Sequence, residues 1–130
     1  MKKVAVVFVV AFLLNAVWEN LHSSLYINYM GGPITELILL RAALVDALII
    51  LVMSLPFLYV DFLKKNNWLI LIIGLVIAFC IEWWALSTGR WAYSDLMPIV
   101  PILSVGLTPL IQLAITGLAS FKIQDLITER

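Results

Sequence analysis

The sequence is poor in charged side chains, which make up 12% of its 130 residues. Eight Lys and Arg residues balance eight Asp and Glu residues, so the formal net charge is zero and no electrostatic attraction to nucleic acid is expected. Hydrophobic residues make up 64% of the chain, whereas about half is usual in a soluble domain. One small water-soluble core cannot bury this excess. The composition therefore predicts an integral membrane protein with a single domain, residues 1–130.

Cysteine and histidine occur once each, as Cys80 and His22. A single cysteine excludes an internal disulfide. Glu19 and His22 have the spacing of carboxylate-bridged metal sites in helical bundles, but those sites need two such pairs. Together with Glu36 and Glu82, His22 could still hold one metal ion. We expect His22 instead to be a hydrogen-bonding residue at the membrane interface, and we predict no metal and no cofactor.

Four apolar segments are long enough to cross a bilayer, at about residues 4–27, 34–60, 68–87 and 97–121. Short polar turns separate them, so the sequence predicts an all-α protein, an antiparallel bundle of four transmembrane helices. The first segment resembles a secretory signal peptide, but residues 14–16 form a poor cleavage site. We therefore expect it to remain as a helix.

The distribution of basic residues predicts the orientation in the cell membrane. With the N-terminus inside, the outer side carries Arg90, with Arg41 buried beneath it. The inner side then carries six basic residues: Lys2, Lys3, Lys64, Lys65, Lys122 and Arg130. We therefore expect both termini to be cytoplasmic.

In this orientation nearly all remaining ionisable groups fall in the outer half, which predicts a pocket open to the outer side or the outer leaflet. Asn15, Glu19, His22 and Tyr26 lie on one side of the end of the first helix. The candidate catalytic acids are Glu19, Asp46 and Glu82. The candidate substrate-binding residues are Asn15, His22, Tyr26, Glu36, Arg41, Trp83, Trp91, Tyr93 and Gln112.

Several of these residues also have a purely structural explanation. Arg41 can pair with Glu19, Glu36 or Glu82 to fix helix packing, since buried ion pairs are often structural. Asp46 lies near the bilayer midplane, where it is protonated, paired across helices, or facing a wet cavity. The fourth segment has a polar seam that favours close helix packing, formed by Ser104, Thr108, Gln112, Thr116 and Ser120.

The region from residue 82 to residue 112 resembles the membrane-embedded lycopene cyclases of carotenoid synthesis. Glu82 precedes a Gly-x-Trp-x-Tyr segment, and Pro109-Leu110 begins the next span. Ile111 and Gln112 stand where that family has two glutamates. The resemblance covers about a quarter of the chain. It implies a small helical unit that acts on an isoprenoid, with Glu82, Trp91 and Tyr93 at its site.

Three functions fit the sequence. The first is an intramembrane acid/base enzyme for an isoprenoid or other lipid, in which a neutral carboxylic acid protonates an alkene and aromatic faces stabilise the cation. The second is a small proton-coupled transporter that uses Asp46 and Glu19, although no inverted repeat is visible. The third is a non-catalytic assembly subunit. The expected partners are the lipid bilayer, a hydrophobic small molecule, and a second copy or a partner membrane protein.

Overall fold

The computed structural model describes residues Met1–Glu129 as a bundle of four long helices, which confirms the all-α prediction. Arg130, one of the six inner basic residues, lies outside the described residues. The long helices are α1 (Lys2–His22), α2 (Glu36–Tyr59), α4 (Leu69–Ser87) and α5 (Leu107–Thr128), and a short helix α3 (Asp61–Lys65) joins α2 to α4. All four long helices are long and apolar enough to cross a membrane. The chain is therefore a multi-pass membrane protein.

Local sequence explains where α2 begins. Gly31 has a φ of +79°, a backbone conformation that a glycine adopts without steric cost, and it turns the chain before the helix. Thr35 then caps α2, because its Oγ1 accepts a hydrogen bond from the backbone N–H of Ile38 at 3.3 Å. Pro56 lies inside the helix near its far end.

The helices pack in the order α2, α1, α5 and α4, whereas α2 and α4 touch each other little. The tightest approach is between α4 and α5 at Gly74. A Cβ placed there would lie 2.7 Å from the backbone N and Cα of Ala114, so only glycine lets the two backbones come this close. Phe57, Phe121 and Ile50 are among the largest fully buried side chains of the core.

Both chain ends lie at the same end of the bundle, which we call the lysine end. There the Glu129 carboxylate accepts hydrogen bonds from Lys3 at 2.7 Å and from Lys64 at 3.0 Å. These contacts connect the start of α1, the end of α5 and the segment α3.

The opposite end carries two small antiparallel strand pairs, of which the second is a hairpin, and we call it the hairpin end. Strand β1 (Tyr26–Tyr29) pairs with β2 (Trp91–Tyr93), and β3 (Ile99–Val100) pairs with β4 (Val105–Gly106). The first pair joins the end of α1 to the end of α4. The two pairs close this end of the bundle with hydrogen-bonded backbone.

Two predicted boundaries were wrong because of these strand pairs. The first helix was expected to reach residue 27, but it ends at His22; a 3₁₀ turn follows, and Tyr26 lies in β1 instead of on the helix face. The fourth helix was expected from residue 97 but begins at Leu107. Ile102 and Ser104 have positive φ angles, and the prolines in this segment cannot donate backbone hydrogen bonds to a helix.

Candidate functional site

The centre of the hairpin end is the side-chain amide of Gln112. Its Nε2 lies 2.9 Å from Asn15 Oδ1, 3.0 Å from Glu19 Oε1 and 2.9 Å from Asp46 Oδ2. Three helices, α1, α2 and α5, therefore meet at one amide group. An amide nitrogen has two hydrogens, so three acceptors compete for two donors.

The same amide brings two carboxyl groups together. Glu19 Oε1 on α1 and Asp46 Oδ2 on α2 lie 3.0 Å and 2.9 Å from the one nitrogen of Gln112. The structure therefore places two of the three predicted acids side by side.

The second carboxylate oxygen of Glu19 contacts His22. The distance from His22 Nε2 to Glu19 Oε2 is 3.1 Å, and His22 Nδ1 lies 3.0 Å from Thr108 Oγ1. Each ring nitrogen of His22 therefore has an oxygen partner within hydrogen-bond distance. His22 is thus hydrogen-bonded on both sides and fixes the orientation of Glu19 on α1.

Glu82, the third predicted acid, is held separately by aromatic donors. Tyr93 donates to its Oε2 at 2.5 Å and Trp91 Nε1 donates to the same oxygen at 3.1 Å. Tyr93 in turn accepts from the backbone N–H of Gly106 at 3.0 Å. One tyrosine hydroxyl therefore connects α4, β2 and β4.

An aromatic layer covers these polar groups. Tyr26 packs edge-on against His22 and Tyr93, each with ring centroids 5.4 Å apart, and against Trp91 at 6.3 Å. Burial and the nearby Glu82 carboxyl raise the pKa of Tyr26 well above its usual range. Burial and the hydrogen bond to Glu82 raise the pKa of Tyr93 in the same direction. Both phenols are therefore neutral hydrogen-bonding groups at physiological pH.

A cavity of about 400 Å³ lies between α2 and α4 at the hairpin end. It exists because these two helices diverge while α1 and α5 hold the bundle together. Seven of the predicted site residues line it: Glu19, Tyr26, Arg41, Asp46, Glu82, Trp91 and Gln112. All three predicted acids therefore face one space.

The other five predicted residues are not part of the cavity lining. Asn15, His22 and Tyr93 lie behind it, where they hold lining residues by the hydrogen bonds described above. Glu36 accepts a hydrogen bond from Asn20 at 3.1 Å on the exposed start of α2. Trp83 is 61% exposed and points away from the cavity.

Trp84 and Arg90 line the cavity, although sequence reasoning did not choose them as site residues. Arg90 lies over the Trp84 ring, with 4.9 Å from its guanidinium carbon to the ring centroid. Because Trp83 and Trp84 are neighbours near the end of α4, only the rotation of that helix decides which one faces inward. The sequence did give one indication for Arg90. It is the basic residue of the segment between the third and fourth spans, and aromatic residues surround it there.

The ion pair predicted for Arg41 does not form. Among residues 1–129, no carboxylate lies within 4.0 Å of its guanidinium. The expected partners already have other donors: His22 and Gln112 bind Glu19, and aromatic groups bind Glu82. Glu36 is five residues away on the same helix, about 140° around its axis.

In the described part of the chain, no three His, Cys, Asp or Glu side chains are placed to hold a metal ion together. His22 and Glu19 are close, but Glu82 is bound by Tyr93 and Trp91 instead. The arrangement is one of proton donors and acceptors around a partly apolar space.

No family model, no curated protein and no solved structure matches this chain.

Proposed function

We propose that this protein is an intramembrane acid/base enzyme that acts on an isoprenoid or other lipid in the cavity between α2 and α4. The observation that carries the proposal is the Glu19–Asp46 carboxyl pair, which one amide holds at the wall of that cavity. Two carboxyl groups that share a site keep one proton between them, because two like charges there repel each other. A carboxylic acid kept neutral in an apolar site can act as a general acid. Lipid substrates can reach it sideways, because the cavity lies where two helices separate within the membrane.

The chemistry that fits this pair is a proton transfer that needs no other reactant. The protonated carboxyl gives its proton to one carbon of an alkene, which forms a C–H bond and leaves a carbocation. The faces of Trp91 and Tyr26 can stabilise that cation. A carboxylate then removes a proton from a neighbouring carbon, and the double bond re-forms at a new position or within a ring. The reaction is a redox-neutral isomerisation or cyclisation.

The resemblance to lycopene cyclases is compatible with this proposal. Glu82, Trp91 and Tyr93, which carry part of the resemblance, lie together in space. Gln112 replaces one of that family's glutamates, and here its amide binds the carboxyls of Glu19 and Asp46. We propose that the acid function lies on α1 and α2 in this protein.

We also propose that the lysine end faces the cytoplasm of a cell membrane. Lys3, Lys64 and the end of α5 meet at this end, and basic residues favour the inner side. The hairpin end and the cavity would then lie in the outer half. In a Cys80→Ser background, Asn66→Cys should react only with a membrane-permeant thiol reagent and Ser87→Cys also with an impermeant one. The opposite labelling would reverse the orientation.

Deuterium incorporation tests the enzyme proposal directly. Purified protein is incubated in heavy water with a total isoprenoid lipid extract, and masses are measured before and after. Protonation of an alkene carbon in heavy water adds deuterium to the product, so a specific lipid should gain mass and change its chromatographic retention. Glu19→Gln and Asp46→Asn should each slow this incorporation by about 10²- to 10⁴-fold, the usual contribution of general acid catalysis.

Glu36→Gln is the matched control, because Glu36 is a glutamate at the same end of the bundle that does not line the cavity. It should leave deuterium incorporation unchanged. If Glu19→Gln and Asp46→Asn both incorporate deuterium as fast as the native protein, the proposal is wrong.

A further inference from the structure

Two arginines line the cavity from opposite sides. Arg41 projects from α2, and Arg90 follows the end of α4. Within residues 1–129, neither guanidinium has a carboxylate within 4.0 Å. Arg90 lies over the face of Trp84. Arg41 is exposed and Arg90 is half-buried, so the cavity offers two guanidinium groups without a carboxylate partner in this part of the chain.

The carboxyl groups of the same cavity do not neutralise these cations. Glu19 and Asp46 are bound to Gln112, Glu19 is also bound to His22, and Glu82 is bound to Tyr93 and Trp91. The guanidinium forks are left for a ligand, and phosphate is an anion whose geometry they match.

On the lysine side of the cavity, an apolar groove between the same two helices adjoins it at Ile49. The groove is lined by Leu48, Ile49, Val52, Met53 and Ile77, and Ile49 also lines the cavity. The space between α2 and α4 is therefore cationic near the membrane surface and apolar below. Its complement is an amphiphile with an anionic head and an apolar chain.

We propose that the ligand of this site is an isoprenoid phosphate. Its phosphate binds between Arg41 and Arg90, and its single chain follows the α2–α4 groove past Asp46. Asp46 is five residues beyond Arg41, or about 7.5 Å along the helix, so the carboxyl pair lies beside the chain and not beside the head. That the chain is an isoprenoid rests on the proposed function, because protonation of its trisubstituted double bonds gives a tertiary carbocation, whereas an unsaturated acyl chain gives a less stable secondary one.

Binding to the wild-type protein in detergent tests this assignment without any need for turnover. Tryptophan fluorescence is followed while farnesyl phosphate, farnesol or dioleoyl phosphatidic acid is added. Farnesyl phosphate should bind saturably and about 10- to 100-fold more tightly than farnesol, as expected for hydrogen bonds to a charged group. Equal binding of farnesol would overturn the phosphate site. Equal or tighter binding of phosphatidic acid would overturn the isoprenoid chain.

Variants locate the site. Arg41→Gln and Arg90→Gln should each weaken farnesyl phosphate binding by about 10-fold or more and leave farnesol binding unchanged. Lys65→Gln, which removes one cation at the lysine end, should change neither. If both arginine variants bind farnesyl phosphate as well as the native protein does, the head-group assignment is wrong.

The two proposals can fail separately. If farnesyl phosphate binds through the arginines, and Glu19→Gln and Asp46→Asn both leave deuterium incorporation intact, the acid function fails and the ligand site stands. If an uncharged lipid gains deuterium in a Glu19-dependent way and farnesyl phosphate binds no better than farnesol, the ligand assignment fails and the acid function stands.

Discussion

The two ends of this bundle are stabilised by different interactions. The lysine half is close-packed: the Phe57 and Phe121 rings meet edge-on with centroids 6.4 Å apart, and a Cβ on Gly117 would lie 2.5 Å from the Met53 methyl group. The hairpin half instead has the carboxyl cluster around Gln112 and an open cavity of about 400 Å³. Hydrogen bonds between helices replace much of the apolar contact there.

Polar residues are present in both halves but are satisfied in different ways. Ser120 and Gln124 are buried in the lysine half, and each bonds within its own helix: Ser120 donates to the carbonyl of Thr116 at 2.6 Å, and Gln124 pairs with Thr128. Gln112 bonds across to two other helices. Polar side chains that hydrogen-bond within their own helix allow the helices to pack, whereas polar side chains that hydrogen-bond between helices form the candidate site. Four predictions test this contrast, from the largest expected effect to the smallest.

Gln112→Leu should cause the largest loss of stability. It removes the one donor shared by Asn15, Glu19 and Asp46, and buried acceptors without a donor each cost about 1–3 kcal/mol. We expect a loss of about 3 kcal/mol, measured by thermal unfolding in detergent. Gln124→Leu is the control in the other half of the same helix and should cost less, since it removes bonds to one neutral neighbour. Equal losses of stability in Gln112→Leu and Gln124→Leu would show that hydrogen bonds between helices stabilise the hairpin half no more than bonds within one helix stabilise the lysine half.

Gly74→Ala should destabilise the protein through packing alone. The new Cβ would meet the backbone of Leu113 and Ala114 at 2.7–2.9 Å, and α4 and α5 must move apart at a cost of about 1–3 kcal/mol. Gly32→Ala is the control, since a Cβ there lies 3.7 Å from its nearest neighbour. Thermal unfolding of the two variants measures the difference. A Gly74→Ala protein as stable as the native one would show that this contact is not tight.

Tyr93→Phe should cost about 1–2 kcal/mol, because the hydroxyl makes two hydrogen bonds, to Glu82 and to Gly106. The raised pKa of Tyr93 also makes this stabilisation depend on pH. As pH rises through the usual tyrosine range, the unfolded state loses its proton first, so stability present below that range falls. The near-ultraviolet absorbance of phenolate should show two late-titrating tyrosines, Tyr26 and Tyr93, and Tyr93→Phe should remove one of them. The same late-titrating absorbance in native protein and Tyr93→Phe would contradict the hydrogen bond from Tyr93 to Glu82.

Glu129→Gln should have the smallest effect, because exposed ion pairs contribute little and are screened by salt. Lys3 and Lys64 lower the pKa of Glu129. Its contribution is therefore present above the usual glutamate range and lost as pH falls below it. Unfolding measured at low and high salt should converge for native protein and Glu129→Gln as salt increases. A loss as large as that of Gln112→Leu would show that the lysine end is held by charge and not by packing.

Hydropathy predicted the four spans well because a bilayer imposes a minimum length of apolar residues on any spanning helix. The starts and ends of α2 and α4 fall within two residues of the predicted ones. The same measure failed at residues 97–106, which are apolar but form a hairpin. Apolar composition shows that a segment can enter the membrane, but it does not show which backbone conformation the segment has.

The candidate acids were visible in the sequence because a carboxyl in an apolar span is rare and costly. Their partners were not visible. Gln112 lies 97 residues from Asn15 and 66 from Asp46, and no local pattern connects such distant positions. Arg41 was expected to pair with a glutamate, and nothing in the sequence showed that those carboxyls had other donors.

By itself, the sequence determined that this chain crosses a membrane with four helices, because the free energy of removing apolar side chains from water depends on composition and length. Only the tertiary structure decided that Glu19 and Asp46 share one amide, that Trp84 faces the cavity while Trp83 does not, and that Arg41 has no carboxylate partner. Those outcomes depend on how each helix is rotated about its axis and on where α2 and α4 are separated. Rotation and separation follow from contacts between residues far apart in the chain, which a single sequence does not specify.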